Sequence, residues 1–330
     1  MSTDKMMALT FSRFGNANVL EYMSINIPEI KENEVLVKMK AIGLNYADIY
    51  RRKGNYHLLG DAPFIAGYEG AGIISSSKSL KYKVGDRVAF ADVAYSNADY
   101  VVLKESHIIP LPEEIDYLMA AAVLLQGLTA QYLANDSHNV KAGETILVHA
   151  ASGGVGQFLC QMCKLKGANV IGLTRNADKI KHIFNSNADY ALTLNDSWKE
   201  DLMALTNNKG VDVVFDSVGS TLQDSFELTK DCGHIVFYGM SGGDPKAVDP
   251  RMLMDSSKTL TGGDLWNYLT SEEERKSRSK KLFELIVNGD LKIKEPTFFK
   301  LSQGKEAHEY LESGDNAGKI ILIPDNEWEE

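Results

Sequence analysis

At 330 residues and 36.4 kDa the chain is longer than one ordinary core requires, and the usual domain size of roughly 100–200 residues points to two domains. Hydrophobic residues at 44% and charged residues at 24% are the balance of a globular protein and exclude a disordered one. The net charge of −10, from 35 basic against 45 acidic residues, opposes binding to nucleic acid or to an anionic membrane surface, so any phosphate must be held by local groups.

The opening "MSTDKMMALTFSRFG" lacks a basic end, an apolar stretch and a small-residue cleavage site, so a cytoplasmic location with no membrane span is expected. The first third reads as β-rich. "VLVKMKAIG" (Val35 to Gly43) alternates apolar and polar residues as a half-buried strand does, and "KVGDRVAFADV" and "DYVVLKESHIIPL" are short strands bounded by Gly, Asp or Pro. The pattern suggests a barrel-like domain. After Leu111, "PEEIDYLMAAAVLLQGLTAQYLAND" has helix-forming composition, with Pro112 and two glutamates where a helix N-terminus favours them.

From Glu144 onward, apolar strands and helical stretches alternate: "TILVHA", "NVIGLT", "VDVVFDSVG" and "GHIVFYGM" are strands, and a shorter "KTLTGG" follows. Continuous apolar strands separated by helices argue for a parallel sheet covered on both faces. Within the first helix, Cys160 and Cys163 share a face as buried small apolar residues; with Cys232 they are too few for a disulfide framework and fit a reducing compartment. "EEERKSRSKK", on a charged helix from Glu272 to Val287, reads as a solvated face. The tail returns to the style of the first third. The expected domains are therefore residues 1–122, 123–267 and 268–330, the last completing the first around an inserted second.

"HAASGGVGQ" (His149 to Gln157) sets three glycines between a strand ending at Ala150 and a helix beginning near Val155. It fits the dinucleotide fingerprint with Ala151, Gly153 and Gly156 at its three small positions. Gly153 removes a Cβ where a pyrophosphate approaches the backbone, Gly156 lets helix lie against strand, and the helix N-terminus offers free N–H groups. At the end of the next strand Thr174 is followed by Arg175, with Lys179 soon after and no carboxylate in the place that would bind a ribose 2′-hydroxyl. Cations there attract a 2′-phosphate, which favours NADPH over NADH.

"GLNYADIYRRKGNY", "PFIAGYEGAGII", "GDRVAF", "QGLTAQYL", "HAASGGVGQ", "FDSVG" and "AHEYLESGDNAGKIILIP" resemble the zeta-crystallin-type quinone oxidoreductases, a zinc-free branch of the medium-chain dehydrogenase/reductase superfamily. The resemblance spans nearly the whole chain. It implies an α/β protein: a GroES-like β-barrel catalytic domain plus a Rossmann domain with a doubly wound parallel sheet, NADPH in the cleft between them, and a homodimer paired through the last Rossmann strands near "SKTLTGG". It also implies that Asn45, Tyr50 and Tyr56 line the substrate end and that Thr129 lies near the nicotinamide amide. Ser152, Gly153, Gly154 and Val155 would belong to the pyrophosphate turn, Lys179 to the 2′-phosphate, and Thr174, Arg175 and Tyr238 to the same cofactor site.

Three positions depart from the family pattern: Gln131, Leu194 and Gly314 stand where relatives often have tyrosine, tyrosine and arginine. Loss of the last two puts more of the 2′-phosphate on Arg175. Zinc-dependent relatives have a cysteine at the position of Asn45 and a histidine at that of Tyr68, so no metal is expected. Asn45 and Tyr50 could each donate a hydrogen bond to a quinone or enone carbonyl as it becomes an oxyanion. Equally, Asn45 could cap a helix starting at Tyr46, with Tyr50 and Tyr56 as packing aromatics. His107 and His149 read as structural, and Asp216 as a loop cap. The expected activity is NADPH-dependent reduction of quinones or related conjugated carbonyls. The rivals are an enoyl or alkenal reductase and a structural or RNA-binding crystallin-like role.

Overall fold

The computed structural model describes residues 4–57 and 60–328, and the chain divides into two compact units. Unit 1 comprises Met1–Leu125, Leu269–Val287 and Ile293–Glu330, and unit 2 comprises Gln126–Tyr268 and Asn288–Lys292.

Unit 1 opens with β1 (Lys5–Phe11), β2 (Leu20–Asn26) and β3 (Glu34–Leu44), followed by α1 (Tyr46–Arg52). β4 (Phe64–Ile65), β5 (Glu69–Ser77), β6 (Arg87–Phe90), β7 (Tyr100–Lys104) and β8 (Ile109–Pro110) follow. β1 pairs with β2 and β4, while β3, the longest strand, pairs with both β5 and β7. Alternation along β3 buries Val35, Val37 and Met39 in one apolar cluster with Leu9, Phe11 and Phe90. This buried face is what fixes the register of the strand.

α2 (Tyr117–Tyr132) starts five residues later than Pro112 suggested. Asp116 decides the start, its carboxylate accepting the Met119 N–H at 2.7 Å as a helix cap. The helical stretch Tyr117–Ser137 is long and apolar enough to cross a membrane by composition, but 78% of that window is buried in the protein.

Unit 2 follows with β9 (Thr145–Val148), α3 (Gly154–Leu165), β10 (Asn169–Thr174), α4 (Ile180–Asn185), β11 (Tyr190–Thr193), α5 (Trp198–Leu205), β12 (Val211–Asp216) and α6 (Leu222–Leu228). β13 (Thr229–Phe237), α7 (Pro250–Ser256) and β14 (Thr259–Gly262) complete its sheet. The six strands are parallel in the order β11-β10-β9-β12-β13-β14, the doubly wound Rossmann arrangement. Leu147, Ile171, Leu173, Val211 and Val214 build the core under α5 through Trp198 and Leu202. β13 begins earlier than "GHIVFYGM" indicated, because a register shift between Val211 and Val213 lets Thr229 pair before the apolar run begins.

The chain then returns to unit 1 through α8 (Glu272–Val287), β15 (Thr297–Lys300), α9 (Gly304–Ser313) and β16 (Ile320–Ile323). β16 pairs antiparallel with β3 and parallel with β15. Five residues of this return belong to unit 2 instead, where Gln161 on α3 exchanges two hydrogen bonds with Lys292. α8 is not purely solvated: Arg275 is 6% exposed and grips Asp92 through Nε and Nη2, the latter at 2.5 Å. A guanidinium fork matched to a carboxylate makes that burial tolerable.

Candidate active site

The residues singled out from the sequence divide between the two units.

In unit 2 the chain leaves β9 at Val148, turns through Ala150 in the left-handed region (φ 48), and enters α3 at Gly154 with Gly153 as N-cap. α3 has no side-chain cap and no acidic residue in its first turn. Its leading N–H groups, those of Gly154 and Val155 among them, are therefore left for an anion. Gly156 is required for a different reason: a Cβ there would lie 2.4 Å from the Ala150 carbonyl and 2.7 Å from Ala151 Cα, so helix and turn could not approach. Ser152 and Thr174, both buried, share a hydrogen bond at 3.0 Å that ties the turn to the end of β10.

Arg175 is exposed directly after β10, and Lys179 is buried at the end of the short 3-10 turn Ala177–Lys179. Tyr238 follows β13, half-buried, its N–H donating to the Asp216 carbonyl at 2.9 Å. Thr129 is buried on α2. Gly314 occupies the left-handed C-cap of α9 at φ 74, a conformation that glycine adopts without strain.

Asp216 closes the turn after β12: its carboxylate accepts N–H bonds from Val218 and Gly219 and hydroxyl bonds from Thr221 and Ser225. Burial works to raise its pKa, but His149 and these donors hold it below the usual carboxylate value. Ser225 also meets His149 Nε2 at 3.1 Å, and burial pushes the His149 pKa down. Cys160 and Cys163 are buried and their thiols are pushed up by desolvation, to about 12 for Cys160. They are inert packing groups.

In unit 1 the end of β3 delivers Asn45 to the start of α1. Its amide donates to the Gly43 carbonyl at 3.2 Å and to Glu69 Oε2 at 2.9 Å, and its Oδ1 accepts from Lys319 Nζ at 2.8 Å. Lys319 also meets Glu69 at 2.5 Å, and Glu69 Oε1 accepts the Leu125 N–H at 2.7 Å. Asn45, Glu69 and Lys319 are at most 4% exposed. Asn45, expected as a donor to substrate, thus has both amide hydrogens engaged inside the protein and anchors the strand-to-helix junction. Gly43 makes room for this, since a Cβ there would lie 2.2 Å from Glu69 Oε2.

Asp48, one turn into α1, accepts the Asn45 backbone N–H at 2.7 Å, and desolvation raises its pKa to about 7. Tyr50 and Tyr56 are half-buried with ring centroids 6.1 Å apart, edge to face, and Tyr56 meets Tyr68 in the same way at 6.0 Å. Tyr68 donates its hydroxyl to the His57 carbonyl at 3.1 Å. The structure so unites Asn45, Tyr50 and Tyr56 around α1. Sequence reasoning did not single out Glu69 and Lys319. The available signal was a lone charge at the edge of each apolar strand, in "GYEG" and in "AGKIILIP".

Residues 31–142 match the alcohol dehydrogenase GroES-like domain and residues 154–280 match the zinc-binding dehydrogenase domain. The quinone oxidoreductase of Pseudomonas aeruginosa is 36% identical, over 96% of this chain and 99% of its own, and quinone oxidoreductase 1 of Escherichia coli is 36% identical over the same shares. This chain belongs to the quinone oxidoreductase family of medium-chain dehydrogenases/reductases. The crystal structure of the Escherichia coli quinone oxidoreductase complexed with NADPH superposes with a TM-score of 0.92 at 34% identity, covering 96% of this chain and 100% of that one. That of the Pseudomonas syringae enzyme gives a TM-score of 0.93 at 32% identity, covering 97% and 100%. One matched domain is a zinc-binding dehydrogenase domain; at two positions where the resemblance places zinc ligands stand Asn45, engaged with Glu69 and Lys319, and Tyr68, engaged with His57. Neither offers the thiolate or imidazole that tetrahedral zinc takes.

Proposed function

We propose that this member of the quinone oxidoreductase family reduces quinones, or related conjugated carbonyls, at the expense of NADPH and without zinc. The observation that carries the reading is the uncapped start of α3 behind a glycine turn, in a chain 36% identical over nearly its whole length to quinone oxidoreductases. When bound, NADPH supplies the hydride. The first-turn N–H groups of α3 hold its pyrophosphate, and Ser152 and Thr174 keep the turn in place. Arg175 and Lys179 provide positive charge for the 2′-phosphate, and Thr129 and Tyr238 complete the cofactor set.

On the acceptor side, the Tyr50 hydroxyl donates a hydrogen bond to the carbonyl oxygen, a bond that strengthens as negative charge arrives there. Tyr56 offers a ring edge and face against which a flat acceptor packs. Asn45 positions α1, and hence Tyr50, through its bonds to Glu69 and Lys319. The working form is a cytoplasmic homodimer paired through the β14 edge, with no nucleic-acid or membrane partner.

Steady-state oxidation of NADPH by a panel of quinones, enals and enoyl thioesters tests the reading. Quinones are expected to give the highest kcat/KM. Turnover confined to the enals or thioesters would transfer the assignment to carbon–carbon double-bond reduction, and no oxidation with any acceptor would end it.

A further inference from the structure

Gly154 lacks a side chain for a different reason from the other two glycines of its turn. At Gly153 and Gly156 an added Cβ would meet backbone atoms of Ala150 and Ala151. At Gly154 it would meet a side chain from another helix, lying 2.0 Å from Gln126 Oε1, 2.2 Å from Cδ and 2.4 Å from Nε2. The whole amide of Gln126, which is carried by α2, therefore fills the space that residue 154 leaves at the start of α3. Gln126 is only 9% exposed, whereas Gly153, Gly154 and Val155 are half-buried, so a packed amide borders a turn that solvent reaches.

The chemistry of that amide suits an anion site. The first-turn N–H groups of α3 carry partial positive charge, and α3 has no acidic residue in its first turn. A glutamate of the same shape at residue 126 would take those N–H groups for itself and repel a phosphate. A glutamine leaves them free and adds two N–H donors of its own. Its place on α2 points the same way: Thr129, in the proposed cofactor set, follows three residues later, on the same helix face and about 4.5 Å further along the axis.

We infer that Gln126 is a further dinucleotide-binding residue, whose side-chain amide donates a hydrogen bond to a diphosphate oxygen of NADPH beside the first-turn N–H groups of α3. Residue 154 is a glycine so that this amide can lie there. The inference rests on the reductase reading above and adds a residue to its cofactor site.

The test is Gln126→Glu, which adds charge with almost no change of volume. Calorimetric titration with NADP+ and with NAD+ reads binding without turnover, and thermal melting of the ligand-free protein reads stability. Both dinucleotides are expected to bind about tenfold more weakly, and to the same extent, because the diphosphate is common to them. The ligand-free protein is expected to melt no lower than the wild type, since a carboxylate at a helix N-terminus is stabilising. Unchanged affinity, or a loss matched by a fall in melting temperature as a packing role would give, overturns the inference while leaving the reductase reading intact. Gly154→Ala provides a second measurement, because its Cβ displaces the amide. It is expected to weaken NADP+ binding about tenfold on its own and to cost little more in Gln126→Ala, where the contact is already gone. Full additivity of the two losses counts against the inference. Absence of binding of either dinucleotide by the wild-type protein would instead remove the reductase reading, and this inference with it.

Discussion

The sharpest consequences belong to single charged side chains. Arg175 is exposed after β10 in a place where a carboxylate would select NADH. Replacing it with alanine is expected to weaken NADPH binding about tenfold more than NADH binding, because only NADPH carries the extra phosphate. Fluorescence titration of both nucleotides checks this, and equal losses would move the 2′-phosphate elsewhere. Asp48 makes a pH-dependent prediction. Its pKa is raised to about 7 by desolvation, so the folded protein holds its proton where the unfolded chain has already released it. The stability it confers is full in acid and declines as pH rises from about 4 to about 7. Melting temperature is therefore expected to fall more steeply over that range in the wild-type protein than in Asp48→Asn, whose neutral amide can still accept the Asn45 N–H. Parallel curves for the two proteins would show that Asp48 does not titrate there.

At the level of elements, the glycine turn was legible because its chemistry is local. A strand, three glycines within four residues and a helix leave one way for the backbone to go, and β9 and α3 lie within two residues of where the sequence placed them, β9 ending at Val148 instead of Ala150. Gly156→Ala tests how tightly. The added Cβ would meet backbone atoms of Ala150 and Ala151, which cannot rotate away, so α3 must shift. A loss of roughly 1–3 kcal/mol in stability and a clear loss of NADPH affinity are expected, measured by thermal melting and titration. Retention of both would mean that the helix is not seated by that contact. What escaped the sequence was non-local. Lys319 meets Asn45 and Glu69 across 274 and 250 positions of chain, and no periodicity links them. α8 was misread for the same reason, since nothing within "EEERKSRSKK" tells that Arg275 will find Asp92, 183 residues earlier.

For the molecule as a whole, the alternation of strands and helices after Glu144 sufficed to specify a parallel sheet, whereas the larger sheet of unit 1 is completed beside β3 by β15 and β16, which arrive only at the end of the chain. The same sheet order carries a prediction about assembly. β14 is the last strand in unit 2, paired on one side with β13 and with no strand on its other side among the described residues. It is four residues long, lacks charged or proline residues, and has an exposed or half-buried pattern throughout. Proteins usually blunt such an edge with charge, proline or a covering element, because it is a template for further pairing. A second copy of the chain, joining edge to edge about a two-fold axis, closes it without leaving a new edge. Light scattering at micromolar protein is thus expected to give twice the 36.4 kDa chain mass. Amide exchange across Thr259–Gly262 should quicken on dilution below the dissociation constant while β9 and β12 stay protected. A chain that scatters as a monomer at that concentration, or whose β14 amides exchange at one rate at every dilution, does not pair through this edge.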